Sequence, residues 1–179
     1  MLLDLDEISA ALTVRFSPFG EELADMILTH GGVDLADIEL LERELAVVLP
    51  DDFRLFLMNY NLNNFSLGSF AFGQGTPYVI KLKELNTENE LNQWWGAGER
   101  PADLLVIAYN DPYTLCLNTT SGAIYAVTAA SDLSDLSAIA KSFDLFFRGA
   151  ASVFLGAIPA ADAGVAANGK DDDFWQSLA

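Results

Sequence analysis

Residues 38–61 read IELLERELAVVLPDDFRLFLMNYN and contain two amphipathic helical patterns separated by a proline. In the first pattern, which can be capped by Asp34, apolar residues recur every three or four positions and charged residues lie between them. The apolar positions are Leu35, Ile38, Leu41, Leu45 and Val48, and the charged positions are Glu39, Glu42, Arg43 and Glu44. This spacing predicts an amphipathic helix with one buried face.

The junction Leu49-Pro50-Asp51-Asp52 predicts where the first helix ends and the second begins. Proline cannot continue a helix but suits a first turn, where carboxylates also complement the helix dipole. Apolar residues then follow at i, i+3, i+4 and i+7, as Phe53, Phe56, Leu57 and Tyr60. This is the most regular helical pattern of the chain, and we expect these side chains to form core.

Residues 1–37 precede this stretch as an acidic extension, with eight acidic residues and one basic residue, Arg15. Helical spacing of Leu23, Met26 and Ile27 predicts one short helix over 21–30, which the pair Gly31-Gly32 ends. His30 would then cap the helix C-terminus.

After Asn61 the composition changes to one that favours strands and turns. Phe70–Phe72 and Tyr78–Leu82 are predicted as short strands, and Leu104–Ala108, Tyr113–Leu117 and Ile124–Val127 as three longer ones. Tight turns at Asn110-Asp111-Pro112 and Thr120-Ser121-Gly122 make those three antiparallel neighbours. Residues 85–98 are predicted as a helix or loop.

A last helix is expected after Ser137, with Phe143, Phe146, Phe147 and Phe154 on one side. Small residues over 160–169 predict a flexible segment, and Phe174-Trp175 is expected to pack back onto the body. The elements together predict an α+β fold, a single domain whose mostly antiparallel sheet packs against amphipathic helices.

Net charge is the most informative feature of the composition, because the chain has 26 acidic and 9 basic residues and therefore a net charge of −17. Such a chain repels nucleic acid phosphates and anionic lipid heads, so a direct nucleic acid or membrane partner is excluded and a charged partner should be basic. The alternative is that the acidity serves solubility alone.

The compartment is inferred from cysteine usage and from the first residues. Cys116 is the single cysteine, which fits a reducing compartment, and residues 1–7 lack the basic segment of a secretory signal. Residues 149–161 are too short and too polar to span a membrane. We therefore expect a cytoplasmic protein.

The inventory of catalytic groups is thin. His30 is the single histidine, and Cys116, placed between Leu115 and Leu117 in an apolar strand, has no second histidine to activate it. The run Asp171-Asp172-Asp173 lacks the alternating spacing of a calcium loop and is interpreted as a solvated charge run. The sequence therefore predicts no enzyme activity, no metal site and no cofactor.

Three blocks resemble the SUKH superfamily, which groups yeast cell-wall-synthesis regulators with bacterial toxin-immunity proteins. The first is the pair of helical patterns in 38–61, with its Leu-Pro-acid-acid-aromatic junction and Tyr-Asn end. The second joins LVIAYN at 105–110, YTLCL at 113–117 and GAIY at 122–125, and the third is SFDLFF at 142–147. The chain departs from the family pattern where Leu62-Asn63 replaces a glycine pair.

The resemblance implies a SUKH-like domain over 38–155, between the extension at 1–37 and a flexible tail at 156–179. It also implies a noncatalytic immunity protein that binds and neutralises a basic toxin domain, one that acts on nucleic acid. An acidic surface would compete with phosphates for the basic cleft of such a toxin. The alternative is an intracellular regulatory or scaffold domain that binds proteins without a toxin partner.

Five residues are predicted to form the partner-binding surface. Asp111 lies in a strand-connecting turn, and Asp132 and Asp135 lie in the loop before the last helix, where a rigid scaffold presents contacts. Trp94 and Trp95 join them as aromatic anchors. The alternative is that both tryptophans are buried and the three carboxylates are solvated or cap helices.

Overall fold

The computed structural model describes residues 1–73, 75–87, 94–95, 99–170 and 172–178. It confirms the predicted α+β class, with helices packed on a six-stranded antiparallel sheet of order β3-β4-β5-β6-β7-β8. The helices are α1 Leu5–Phe16, α2 Leu35–Leu45, α3 Asp51–Asn59, α4 Tyr78–Asn86, α5 Phe143–Phe154, α6 Ala160–Ala166 and α7 Asp172–Gln176. The strands are β1 Thr29–His30, β2 Tyr60–Asn61, β3 Ser66–Leu67, β4 Phe70–Ala71, β5 Leu104–Asn110, β6 Tyr113–Asn118, β7 Ile124–Val127 and β8 Ala138–Ala140.

Side chains of the central strands alternate between the two faces of the six-stranded sheet. Leu105 and Ile107 of β5 and Leu115 of β6 point into the main core with the helices, while Val106 and Cys116 point to the opposite face. The three predicted longer strands are confirmed as antiparallel neighbours, and a bulge interrupts β5 between Val106 and Ala108.

The helix pair predicted from residues 38–61 is present. Phe53, Phe56 and Leu57 of α3 are buried, and α2 buries Ile38, Leu41 and Leu45. Two positions of the predicted stripe are exposed: Leu35 lies at the helix start, and Val48 lies beyond Leu45, where α2 ends. That helix ends early because Ala46 adopts the left-handed conformation, with φ 54°.

The N-terminal extension differs from its prediction. Its α-helix is α1, whereas Ser17–Met26 forms a 3-10 segment broken at Gly20, and His30 lies on strand β1 instead of capping a helix. A capping box between Asp4 and Glu7 starts α1, a local signal that favours a helix at this position.

Hydrogen bonds tie this extension to α5. The Leu3 amide donates to the Ser152 hydroxyl, Arg148 Nε donates to the Leu3 carbonyl, and Ile8 and Leu12 are fully buried. The extension is therefore part of the main core.

Tyr78–Leu82 is a helix, and its prediction as a strand was wrong. Pro77 is the N-cap residue of α4, and Tyr78, Leu82 and Leu85 are buried at i, i+4 and i+7. This is helical spacing within a run of residues that favour strands. The segment predicted as helix or loop over 85–98 lies outside the described residues at 88–93 and 96–98.

The C-terminal segment is folded where flexibility was expected. Small residues over 160–166 form α6, whose Gly164 leaves room for the Trp175 ring. Trp175 is fully buried and donates from Nε1 to the Ile139 carbonyl at 2.8 Å, which confirms that the Phe174-Trp175 pair packs onto the body. Asp171 lies outside the described residues. No helix in the described part of the chain is long and apolar enough to cross a membrane.

Candidate functional site

The single histidine and the single cysteine lie on strands of different sheets, His30 on β1 and Cys116 on β6. Cys116 is buried in β6, and burial raises the pKa of its thiol to about 12, so the thiol is protonated near neutrality. His30 is exposed on β1, with its ring 4.9 Å from that of Tyr60. Among the described residues, no group of three or more His, Cys, Asp or Glu side chains could hold a metal ion.

The sheet has a second, smaller core on its outer face, which we define by the buried side chains of Leu85, Val106, Cys116 and Val127. Partly buried side chains cover it: Trp94, Tyr109, Tyr125, Leu133 and Leu136. This outer face brings one predicted tryptophan together with the loop between β7 and β8. It is therefore where part of the predicted partner surface lies.

The two tryptophans have different environments. Trp95 is buried, with 8% of its surface exposed, and meets the Trp94 ring edge-on at 5.5 Å. Trp94 is partly buried on the outer face, and its Nε1 has no hydrogen-bond partner among the described residues. Trp94 is therefore the member of the pair that keeps more of its surface exposed.

Asp132 and Asp135 are exposed in the loop that covers the outer face. Leu133 and Leu136 anchor this loop by packing on the outer core, whereas Asp132 and Asp135 are exposed to solvent. Hydrogen bonds from the hydroxyl and the amide of Ser134 hold the pKa of Asp132 below its ordinary value. The Asp132 carboxylate is therefore charged and held in place by the loop.

Asp111 does not join this group. It is exposed in the turn between β5 and β6 and lines a hollow of about 410 Å³ with Phe70, Tyr113, Phe154 and Leu178, among others. Asp111 therefore lines this hollow and is not among the residues of the outer face.

A groove between α2 and α4 was missed by the sequence reasoning. Its volume is about 630 Å³, and its lining includes Leu40 of α2 and Ile80 of α4, which are 47% and 50% exposed. A carboxylate from α2 and an amine from α4 pair across it, at 2.9 Å between Glu44 Oε1 and Lys83 Nζ. We call this the α2–α4 groove.

One signal of the groove was present in the sequence. Leu40 is apolar but lies outside the stripe formed by Ile38, Leu41 and Leu45, so an unburied apolar side chain was foreseeable. The other wall was not foreseeable, because α4 was predicted as a strand.

The side chains of α4 explain why it lies along β5. Asn86 donates to the Val106 carbonyl at 2.8 Å and accepts from the Val106 amide at 2.7 Å, as a neighbouring strand would. The Tyr78 hydroxyl donates to the carbonyl of Ile107 in the β5 bulge. These bonds satisfy buried backbone groups of β5 and hold one wall of the groove.

Comparison with known proteins supports the resemblance seen in the sequence. No curated protein matches the chain. A model of the SMI1 / KNR4 family (SUKH-1) matches residues 32–149, which is more than half of the chain and runs from the start of α2 into α5. Membership is consistent with a toxin-immunity or a regulatory role. The chain therefore belongs to the SMI1 / KNR4 family (SUKH-1).

Proposed function

We propose that this protein is a noncatalytic immunity protein that binds and neutralises a basic toxin domain, one whose target is nucleic acid. The observation that carries the proposal is the uncompensated acidic surface. Three ion pairs join acids to bases in the described part of the chain: Arg54–Glu42, Lys83–Glu44 and Arg148–Asp144. With 26 acids and 9 bases, most carboxylates stay uncompensated.

A toxin that cleaves or modifies nucleic acid carries a basic cleft for phosphates, and an acidic protein surface can occupy the same cleft. Long-range attraction between the two surfaces would also raise the association rate. In this proposal Asp111, Asp132 and Asp135 act as steering charges at the edges of the molecule, and Trp94 contributes an aromatic contact.

The test begins with the neighbouring genes, because an immunity protein is expected beside a toxin gene and a solitary gene favours regulation. A toxin domain encoded there is expressed in a sensitive host with and without this protein. Immunity predicts restored growth and a complex of the two purified proteins. A toxin that kills equally in the presence of this protein, together with no complex, would refute immunity and favour a regulatory role in the cell.

Steering is tested by measuring association rate against ionic strength for the parent and for the D111K/D132K/D135K variant. We expect slower association and a flatter salt dependence in the variant. Identical salt slopes would remove these three residues from the interface.

The matched control is E21K/E22K/D162K, which changes net charge equally at exposed acids elsewhere. A loss of rate as large in the control as in the variant would mean that net charge, and not these positions, directs the encounter.

A further inference from the structure

We infer that the α2–α4 groove is the docking surface for a cationic amphipathic segment of the toxin. This inference rests on the proposed function and adds the contact surface and the kind of segment that fills it. The groove combines exposed apolar side chains, unpaired carboxylates and rigid walls in one concave surface.

The apolar part of the groove is formed by one side chain from each helix. Leu40 and Ile80 are each about half exposed, and Val79 and Pro77 lie beside them in the lining. Half-exposed leucine and isoleucine side chains on both walls of a concave surface leave apolar area for a partner to bury. Apolar side chains on one face of the partner segment would fill this part.

The charged part of the groove is acidic. Asp34 and Asp37 are exposed at the start of α2, and neither carboxylate has a hydrogen-bond or ion-pair partner among the described residues. Asp34 occupies the helix cap position without a capping bond from its side chain. Among the described residues of the lining, Lys83 is the one base and pairs with Glu44, which leaves two uncompensated negative charges, those of Asp34 and Asp37.

The walls are held independently of any partner. Asn63, at the position where the family pattern has a glycine pair, accepts from the Tyr78 amide at 2.7 Å and ties the β2–β3 loop to the start of α4. Gly32, just before α2, lets the chain approach the Leu57 carbonyl of α3 closely, and the Val33 amide donates to that carbonyl at 2.7 Å. A preformed groove pays little ordering entropy when it binds.

These features select the occupant. Nucleic acid and acidic proteins would be repelled by Asp34 and Asp37, and a purely polar basic segment would leave Leu40 and Ile80 unburied. A helix or strand of the toxin with lysine or arginine beside apolar residues satisfies both parts of the groove.

The test compares the L40A/I80A variant with the parent for binding to the same toxin domain. Because these side chains anchor the bound state, we expect at least about tenfold faster dissociation, with an association rate within about twofold of the parent. Both side chains are half exposed, so the unfolding midpoint should change little. The matched control is V14A/V165A, which truncates two exposed valines on α1 and α6.

The charge arm uses D34N/D37N, for which we expect faster dissociation and a weaker salt dependence of affinity. Hydrogen exchange on the complex should protect amides of α2 and α4. Parent binding with no effect of L40A/I80A and no protection there would overturn the groove and leave toxin binding intact. No complex with the parent would overturn both.

A second copy of this chain is the other occupant to exclude. Sedimentation of the parent and of L40A/I80A, each without toxin, tests for self-association. A parent that is a dimer and a variant that is a monomer would assign the groove to self-association and overturn its assignment to a toxin segment. A species unchanged by the variant supports the inference.

Discussion

Replacing Phe56 by alanine should destabilise the protein severely, because this side chain joins α3 to α5. Phe56 is 3% exposed, and its ring centroid lies 4.7 Å from that of Phe147, 5.0 Å from Phe143 and 5.1 Å from Tyr60. Removing a packed phenylalanine costs about 3–5 kcal/mol, since transfer free energy is lost and a cavity forms. At about 2–4 °C for each kcal/mol in a chain of this size, the midpoint should fall by about 6–20 °C.

The assay is urea unfolding followed by tryptophan fluorescence and by circular dichroism, with thermal melts in parallel. Leu55→Ala is the matched control, because Leu55 is the preceding residue on the same helix and is 58% exposed. The control should stay within about 0.5 kcal/mol of the parent. A free energy of unfolding for Phe56→Ala that is indistinguishable from that of Leu55→Ala would refute the packing of α3 against α5.

Three further predictions follow from other contacts. Gly164→Ala should destabilise the protein although alanine favours helices, because the alanine Cβ would lie 2.8 Å from the Trp175 ring. Chemical denaturation measures the change in the free energy of unfolding, and a stabilised variant would contradict the contact. Burial raises the pKa of Cys116 and of Tyr60 to about 12 each, so the folded state favours the neutral form of both groups. The free energy of unfolding should therefore fall as pH rises above about 9. Unfolding curves across alkaline pH test this fall, and the Cys116 thiol should react with DTNB only after unfolding. Deleting residues 1–27 should abolish the cooperative unfolding transition, because the extension supplies buried side chains to the main core. A sharp transition in the truncated chain would show that the extension is dispensable.

Local pattern predicted the elements whose burial follows one period. Residues 38–61 contain a helical repeat on each side of Pro50, and both helices form there because the apolar positions coincide with the side that packs into the main core. The strands from Leu104 to Val127 were predictable for the same reason, since tight turns leave adjacent antiparallel pairing as the short connection.

The wrong predictions concern segments in which contacts with residues distant in sequence override the local secondary-structure propensity. Tyr78–Leu82 is rich in residues that favour strands, yet it is helical because Tyr78 and Asn86 must reach the backbone of β5 at once. The small residues of α6 suggest flexibility in isolation, but they allow the Trp175 ring to approach the helix closely. Neither partner is close in sequence, so no local pattern could reveal the contact.

The candidate site could also be predicted only in part from the sequence. Defining it requires two measurements, the association rate and the dissociation rate. The sequence identified charge, and Asp132 and Asp135 are exposed as expected of steering residues. It could not identify the groove, because Leu40 and Ile80 form one surface only after α2 and α4 pack together. Charges outside the contact act before it forms and therefore govern the association rate, whereas groups buried in the contact act afterwards and govern dissociation. A toxin complex whose association depends on the loop carboxylates and whose dissociation depends on the groove would require both the loop and the groove for binding.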